Sequence, residues 1–114
     1  MTSPQVTIDD FQRVEMRVGR VLSAEPLPEA RKPAYKLRID FGPEIGIKQS
    51  SAQLTALYTR ESLIDRLVIG VANFPPRRIA GFNSEVLVLG AADADGAVVL
   101  LQPERDVPLG ARIF

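Results

Sequence analysis

Hydrophobic and polar residues alternate most regularly between residues 35 and 41. In the string YKLRIDF the apolar residues take every second position, and Lys36, Arg38 and Asp40 lie between them. Successive side chains of a β-strand point to opposite faces, so this pattern predicts a half-buried strand with a wet, mostly basic outer face. The string FGPE then predicts a turn, and IGIKQSSA predicts the antiparallel strand that returns from it.

Weaker patterns predict the remaining strands. A drift toward alternation from Met16 onward indicates a first strand, and the strings LVIGVANF and EVLVLGAA indicate two further short apolar strands. Asp95 and Gly96, between LGAADA and AVVLL, predict a hairpin turn. About six short strands separated by Gly and Pro turns favour an all-β fold, a small barrel.

Two short helices are expected at threonines that can act as N-caps. Thr7 precedes Ile8 and two acidic residues, which suit the first turn of a helix. Thr59 precedes a segment, residues 60–66, in which Leu63 and Ile64 are expected to pack inward. Both helices are too short to be stable without the sheet.

Composition narrows the function classes. The 114 residues suit one domain, 1–114, and no apolar run is long enough to span a membrane. No signal peptide is visible, so we expect a cytoplasmic protein without membrane insertion. Cys and His are both absent, which excludes thiol and histidine catalysis and histidine- or thiolate-ligated metals. We therefore expect a binding protein, not an enzyme, with no metal and no cofactor.

The charges are balanced overall but unevenly distributed. The chain has 14 basic and 14 acidic residues, whereas residues 13–38 hold seven basic and three acidic residues, a local net charge of +4. Within this region the string ARKPAYKLR combines four positive charges with Tyr35. Basic groups and aromatic rings are the means by which proteins hold single-stranded nucleic acid. The alternation places Tyr35 on the apolar face, so two interpretations stay open: a solvated strand face and a phosphate-contacting one.

A stiff basic turn lies next to the string EVLVLGAA. In PPRR two prolines restrict the backbone before Arg77 and Arg78, whose guanidinium groups suit phosphates or carboxylates. Glu85 is near enough in sequence to be their ion-pair partner, in which case PPRR is an ordinary surface turn. EVLVLGAA is apolar at consecutive positions, so both faces of that strand require cover. The cover is either intramolecular or, with Phe74 and Phe82 nearby, a second subunit or an apolar ligand.

Several strings together resemble the tRNA-binding-domain family. These are MRVGRVLSAEPLPEARKPAYKLRIDFG, IGIKQSSAQLT, YTRESL and the long string from NFPPRRI to LGARI, and the likeness extends from about Val14 to Ile113. Members of this family are OB-fold modules that are attached to some aminoacyl-tRNA synthetases and also exist as free dimers. Synthetase-type members usually have Ser-Gly where this chain has Ser50-Ser51, and Gly where it has Val86. The strings are more similar to the secretion-chaperone branch of the family than to its synthetase-type members.

The resemblance implies a five-stranded OB-fold β-barrel with short helices and with N- and C-terminal extensions. It also implies a homodimer that binds unfolded or export-bound polypeptides, with structure-specific tRNA binding as the alternative. Matched to the family, the RNA-binding groove is expected to be lined by Lys36, Arg38, Lys48, Ser50, Ser51, Asn73, Arg77, Arg78, Ser84 and Glu85. The peptide-binding or dimer contact is expected at Phe74, Phe82, Val86 and Val88.

Overall fold

Five antiparallel strands form the main sheet of the computed structural model, which describes residues 3–28 and 30–114. They are hydrogen-bonded in the order β3-β2-β1-β4-β7. Their bounds are β1 Met16–Pro26, β2 Tyr35–Asp40, β3 Ile47–Ala52, β4 Leu67–Val71 and β7 Leu87–Val88. The two end strands, β3 and β7, approach each other, so the sheet curls into a nearly closed barrel. This confirms the predicted OB-fold.

Two short hairpins complete the strands. Their bounds are β5 Arg77–Ile79, β6 Phe82–Ser84, β8 Gly90–Ala92 and β9 Val98–Leu100. The β5–β6 hairpin is inserted between β4 and β7, and the β8–β9 hairpin has the expected turn, in which Asp93 Oδ1 accepts the backbone N–H of Asp95 at 2.9 Å. The prediction of one continuous strand over EVLVLGAA was wrong. Leu89 separates β7 from β8, because the chain leaves the barrel there and pairs with β9.

The helices are short and begin where the sequence indicates. They are α1 Ile8–Arg13, α2 Gly42–Ile45 and α3 Arg60–Leu63. Thr7 and Thr59 are both N-caps whose side chains accept a backbone N–H from the first turn, as expected. The prediction that the last helix continues to residue 66 was wrong, because Ile64 is extended and Asp65 has a positive φ of 69°, so the chain turns there. Leu63 is buried as expected, but Ile64 is exposed.

The core lies inside the barrel, where the alternation of β2 directs its apolar side chains. Leu37, Ile39 and Phe41 are fully buried, and Tyr35 packs against them with its hydroxyl donated to the Tyr58 carbonyl at 2.9 Å. Tyr35 is therefore half-buried, and its ring packs against the core, as the alternation predicts. The phenyl ring of Phe41 lies against Gly19 of β1, where a Cβ atom would be 2.9 Å from it. Gly19 thus makes room for the ring.

The C-terminal extension packs beside β1 and reaches α1. It runs along β1, with Val18 N–H donated to the Ala111 carbonyl and Ile113 N–H donated to the Met16 carbonyl. The guanidinium of Arg112 donates to the Gln12 carbonyl in α1. The N-terminal helix and the C-terminal extension are therefore neighbours. Within the two described ranges, no helix combines the length and the apolar character needed to cross a bilayer.

Candidate binding groove at the barrel seam

The seam between β3 and the segment that precedes β7 is held largely by side chains. Gln49 N–H donates to Glu85 Oε1 at 3.0 Å, and Glu85 N–H donates to the Gln49 carbonyl at 2.8 Å. The side-chain amide of Gln49 donates to the Asn83 carbonyl at 2.8 Å. Glu85 therefore supplies an acceptor for an edge-strand N–H that has no strand partner, which explains a carboxylate at the start of an apolar segment.

Two serines close the rest of the seam. Ser51 N–H donates to Ser84 Oγ at 3.0 Å, and the hydroxyl of Ser50 donates to the Val86 carbonyl at 2.9 Å. Ser50 is fully buried and Ser84 nearly so. These hydroxyl groups satisfy buried backbone groups that a regular ladder would otherwise pair.

An open groove with a volume of about 730 Å³ lies beside this seam. Its walls come from three parts of the chain: the β1–β2 connection, the end of β3, and the segment from Phe74 through the β5–β6 hairpin to Leu87. The described lining residues are Ala30, Arg31, Lys32, Ala34, Ser51, Gln53, Phe74, Pro75, Arg77, Arg78, Ile79, Ala80, Ser84, Glu85, Val86 and Leu87. Such a volume suits a small ligand or a few residues of an extended chain.

The groove combines positive charge with apolar surface. Arg31, Lys32, Arg77 and Arg78 are all exposed cations, and Glu85 is the one acidic residue in the described lining. Among the residues that the structure describes, no N–O distance of 4.0 Å or less joins any of these four cations to a carboxylate. The ion pair between PPRR and Glu85 that the sequence suggested is therefore not formed. Within the described part of the chain, no carboxylate therefore competes with an anionic ligand for these four cations.

Seven of the residues expected at a binding site line this groove. They are Ser51, Arg77, Arg78, Ser84 and Glu85 from the RNA-binding set, and Phe74 and Val86 from the peptide set. Val86 is buried in its floor and also belongs to the core, whereas Phe74 is exposed. Of the seven, Ser84 and Glu85 also hold the seam with their side chains, and Ser51 and Val86 do so with backbone groups. Their roles toward a ligand stay predictions.

The basic face of β2 lies next to the groove. The register pairs Lys36 with Ser51 and Arg38 with Gln49, so these four side chains share the outer face of the sheet. Ser51 lines the groove, which makes Lys36 and Arg38 an extension of its basic border. Lys48 differs, because it pairs with the fully buried Ile39 and thus lies on the opposite face.

Four further expected residues lie outside the groove lining. Ser50 is buried at the seam, and Val88 packs against the core. Asn73 accepts Glu15 N–H and donates to the Arg13 carbonyl, which attaches α1 to the end of β4. Phe82 is half-buried beside the hairpin turn. The placement of Ser50 and Asn73 assigns them structural hydrogen bonds, which the sequence did not indicate.

Several lining residues were absent from the expected site. Arg31 and Lys32 were visible as part of a basic string, but nothing local to that string indicates that it faces PPRR across a groove. Ile79 and Leu87 add apolar surface, and Leu87 is 48% exposed although it begins a strand of the main sheet. Only the return of the chain to the barrel seam brings these positions together.

Comparisons with known proteins agree with this architecture. The family model described as a putative tRNA binding domain matches residues 16–112. A methionine--tRNA ligase of Methanococcus aeolicus is 38% identical over 108 residues, which are 95% of this chain and 15% of that protein. The chain thus spans about 15% of the length of that curated relative.

Two solved structures of similar size are also matched. The crystal structure of the chaperone CsaA from Bacillus anthracis is 50% identical with a TM-score of 0.91, and covers 97% of this chain and 100% of its own. The CsaA chaperone protein from Picrophilus torridus is 48% identical with a TM-score of 0.91. The match covers 96% of this chain and 100% of that protein. The chain is thus similar to both over their whole length.

Proposed function

Since the chain belongs to the putative tRNA-binding domain family, we propose that it acts by binding, without catalysis, as a chaperone of the CsaA type. In this proposal the groove at the barrel seam holds extended segments of unfolded or export-bound polypeptide. The observation that carries the proposal is the apolar groove lining inside a basic border, at a place where OB-folds commonly bind their ligands: the strand 2–3 face and the neighbouring loops.

The apolar part of the groove supports a polypeptide ligand in particular. Phe74 and Leu87 are 44% and 48% exposed, and Ile79 lies with them. Exposed apolar side chains that share a concave site lower the free energy of a bound apolar segment by removing its surface from water. A segment held there is kept from associating with other unfolded chains.

Suppression of aggregation tests this proposal. A denatured client is diluted with and without the protein, and light scattering is followed; the protein is expected to reduce scattering, and Phe74→Ser combined with Leu87→Ser is expected to remove most of the effect. The control is Leu57→Ser with Ile64→Ser, which lie outside the groove and are 50% and 46% exposed. Unchanged scattering at a several-fold excess of the wild-type protein would exclude the chaperone role.

We further propose that the protein forms a homodimer through its two chain ends. Ile8 of α1 is 72% exposed, Phe11 is also exposed, and Phe114 follows the extension that Arg112 connects to α1. Ile8 and Phe11 are three residues apart on α1, so they share a face of the helix that a second copy can cover. Sedimentation velocity measures the association state. Ile8→Asp is expected to shift the protein toward the monomer, whereas Leu57→Asp is not.

A second candidate function is structure-specific tRNA binding. It is favoured by the continuity of Lys36 and Arg38 with the basic border of the groove. Because Tyr35 is turned into the core, this face offers phosphate contacts without a stacking platform, and it would read the RNA backbone. Titration of labelled tRNA at several salt concentrations tests this function. Affinity is expected to fall with a log–log slope of about −0.7 to −0.9 per phosphate contact.

Replacing both Lys36 and Arg38 by Ala separates the two functions. The double variant is expected to bind tRNA more weakly with a smaller salt slope, and to suppress client aggregation nearly as well as the wild type. A variant with Arg13→Ala and Arg105→Ala, which removes two exposed cations elsewhere, is the control. No tRNA binding at low salt would exclude this second function.

A further inference from the structure

Among the described residues that line the groove, the charges are almost all of one sign. Arg31 and Lys32 lie on the side of the β1–β2 connection, and Arg77 and Arg78 lie on β5. Against these four cations the described lining contains one carboxylate, that of Glu85, and one of its oxygens already accepts a backbone N–H of β3. The described lining therefore carries a net charge of +3.

Apolar surface lies in the same groove as these cations. Phe74 and Leu87 are both about half exposed, and Ile79 follows Arg77 and Arg78 directly on β5. A ligand that complements both features is apolar where it covers these side chains and negatively charged where it meets the cations. Like charges placed side by side cost free energy, so a segment with basic residues at those positions is disfavoured.

We propose that the groove selects extended apolar polypeptide segments that carry acidic residues and discriminates against segments that carry basic ones. This inference rests on the proposed chaperone function and names the class of client that the groove accepts. A planar guanidinium group suits a carboxylate, with which it forms two parallel hydrogen bonds. Arg77 pairs with Ser84, which also lines the groove, and Arg78 contributes to the lining from the next position of β5. The preceding prolines restrict the backbone, which lowers the entropy lost when these groups engage a ligand.

Three labelled peptides with one apolar core and different flanks test the selectivity. The flanks are Glu, Gln or Lys, and binding to the intact protein is measured by fluorescence anisotropy at low and at moderate salt. An exposed ion pair changes affinity by up to about fivefold, so several pairs predict that the Glu peptide binds at least about tenfold more tightly than the Lys peptide. Added salt is expected to narrow this difference, because it screens exposed charges.

Two variants identify the groups responsible. Arg77→Gln with Arg78→Gln is expected to lower the affinity for the Glu peptide several-fold and to raise the affinity for the Lys peptide. Glu85→Gln keeps an oxygen that can accept the β3 N–H and removes the one acidic charge of the described lining. It is therefore expected to raise the affinity for the Glu peptide above that of the wild type. The matched control, Arg13→Gln with Arg105→Gln, removes two arginines outside the groove and is expected to leave the peptide ranking unchanged.

The outcomes separate this inference from the proposed function. If all three peptides bind with equal affinity, or if the Lys peptide binds most tightly, the charge selectivity is wrong while the chaperone groove stands. If none of the peptides binds and client aggregation is unchanged, the chaperone function itself is wrong. A Glu preference that the Arg77 and Arg78 variant abolishes and the control retains supports both.

Discussion

The hydroxyl of Ser50 tests whether side chains hold the barrel closed. Ser50→Ala removes the donor to the Val86 carbonyl, a 2.9 Å hydrogen bond between two buried residues, while the methyl group of alanine fits the space that the serine leaves. A buried acceptor that loses its partner costs about 1–3 kcal/mol. We therefore expect the free energy of unfolding to fall by about 2 kcal/mol, with little change in the fold.

Urea unfolding followed by circular dichroism measures this loss. With a slope of about 1–3 kcal/mol per M, a loss of this size lowers the midpoint by roughly 1 M. Ser23→Ala is the control, because Ser23 is a half-buried serine of the same sheet that lies on β1, away from the seam. If the two variants lose the same stability to within about 0.5 kcal/mol, the seam does not depend on the Ser50 hydroxyl and the reasoning is refuted.

Three further changes test other parts of the structure. Gly19→Ala places a Cβ atom 2.6 Å from Ile39 in a filled core. We expect the free energy of unfolding, measured by thermal unfolding, to fall by about 1–3 kcal/mol. An unchanged melting temperature would contradict the close packing. Ala80 has φ of 51° at the β5–β6 turn, so Ala80→Asn, which tolerates this conformation better, is expected to stabilise the protein by about 0.5–1 kcal/mol, and a loss of stability would contradict it. Tyr58→Phe removes the hydroxyl that accepts Leu100 N–H at 3.0 Å. The free energy of unfolding in urea is expected to fall by about 1–2 kcal/mol. A neutral effect would show that water replaces this hydrogen bond.

The seam also bears on function, because two groove residues are among those that close the barrel. Ser84 and Glu85 line the groove and at the same time accept N–H groups from β3. Substitutions that remove these acceptors are expected to lower stability as well as binding. Glu85→Gln is the more informative change, since it alters the charge and preserves an acceptor.

Local patterns in the sequence were sufficient for most strands of the main sheet and for the helix caps, whereas the fold family came from the resemblance of several longer strings. The alternation of β2 predicts which of its side chains enter the core, because a strand directs successive side chains to opposite faces whatever it packs against. Thr7 and Thr59 predict two helix starts, because a cap acts within one turn of its own position. Where local rules failed, at Ile64 and at Leu89, hydrogen bonding to a distant strand accompanies the early end of the element. Asp65 N–H donates to the Val21 carbonyl of β1, and β8 pairs with β9.

The sequence by itself determined which elements and chemical groups the inventory of the molecule contains: the short strands of a barrel, a basic strand face, a stiff basic turn, and neither histidine nor cysteine. Tertiary structure alone decided how that inventory is used. It placed Lys48 on the opposite face from Lys36 and set Arg31 across a groove from Arg77. The physical reason is that a groove is formed by segments far apart in the chain, and their meeting depends on barrel closure, which no local pattern specifies.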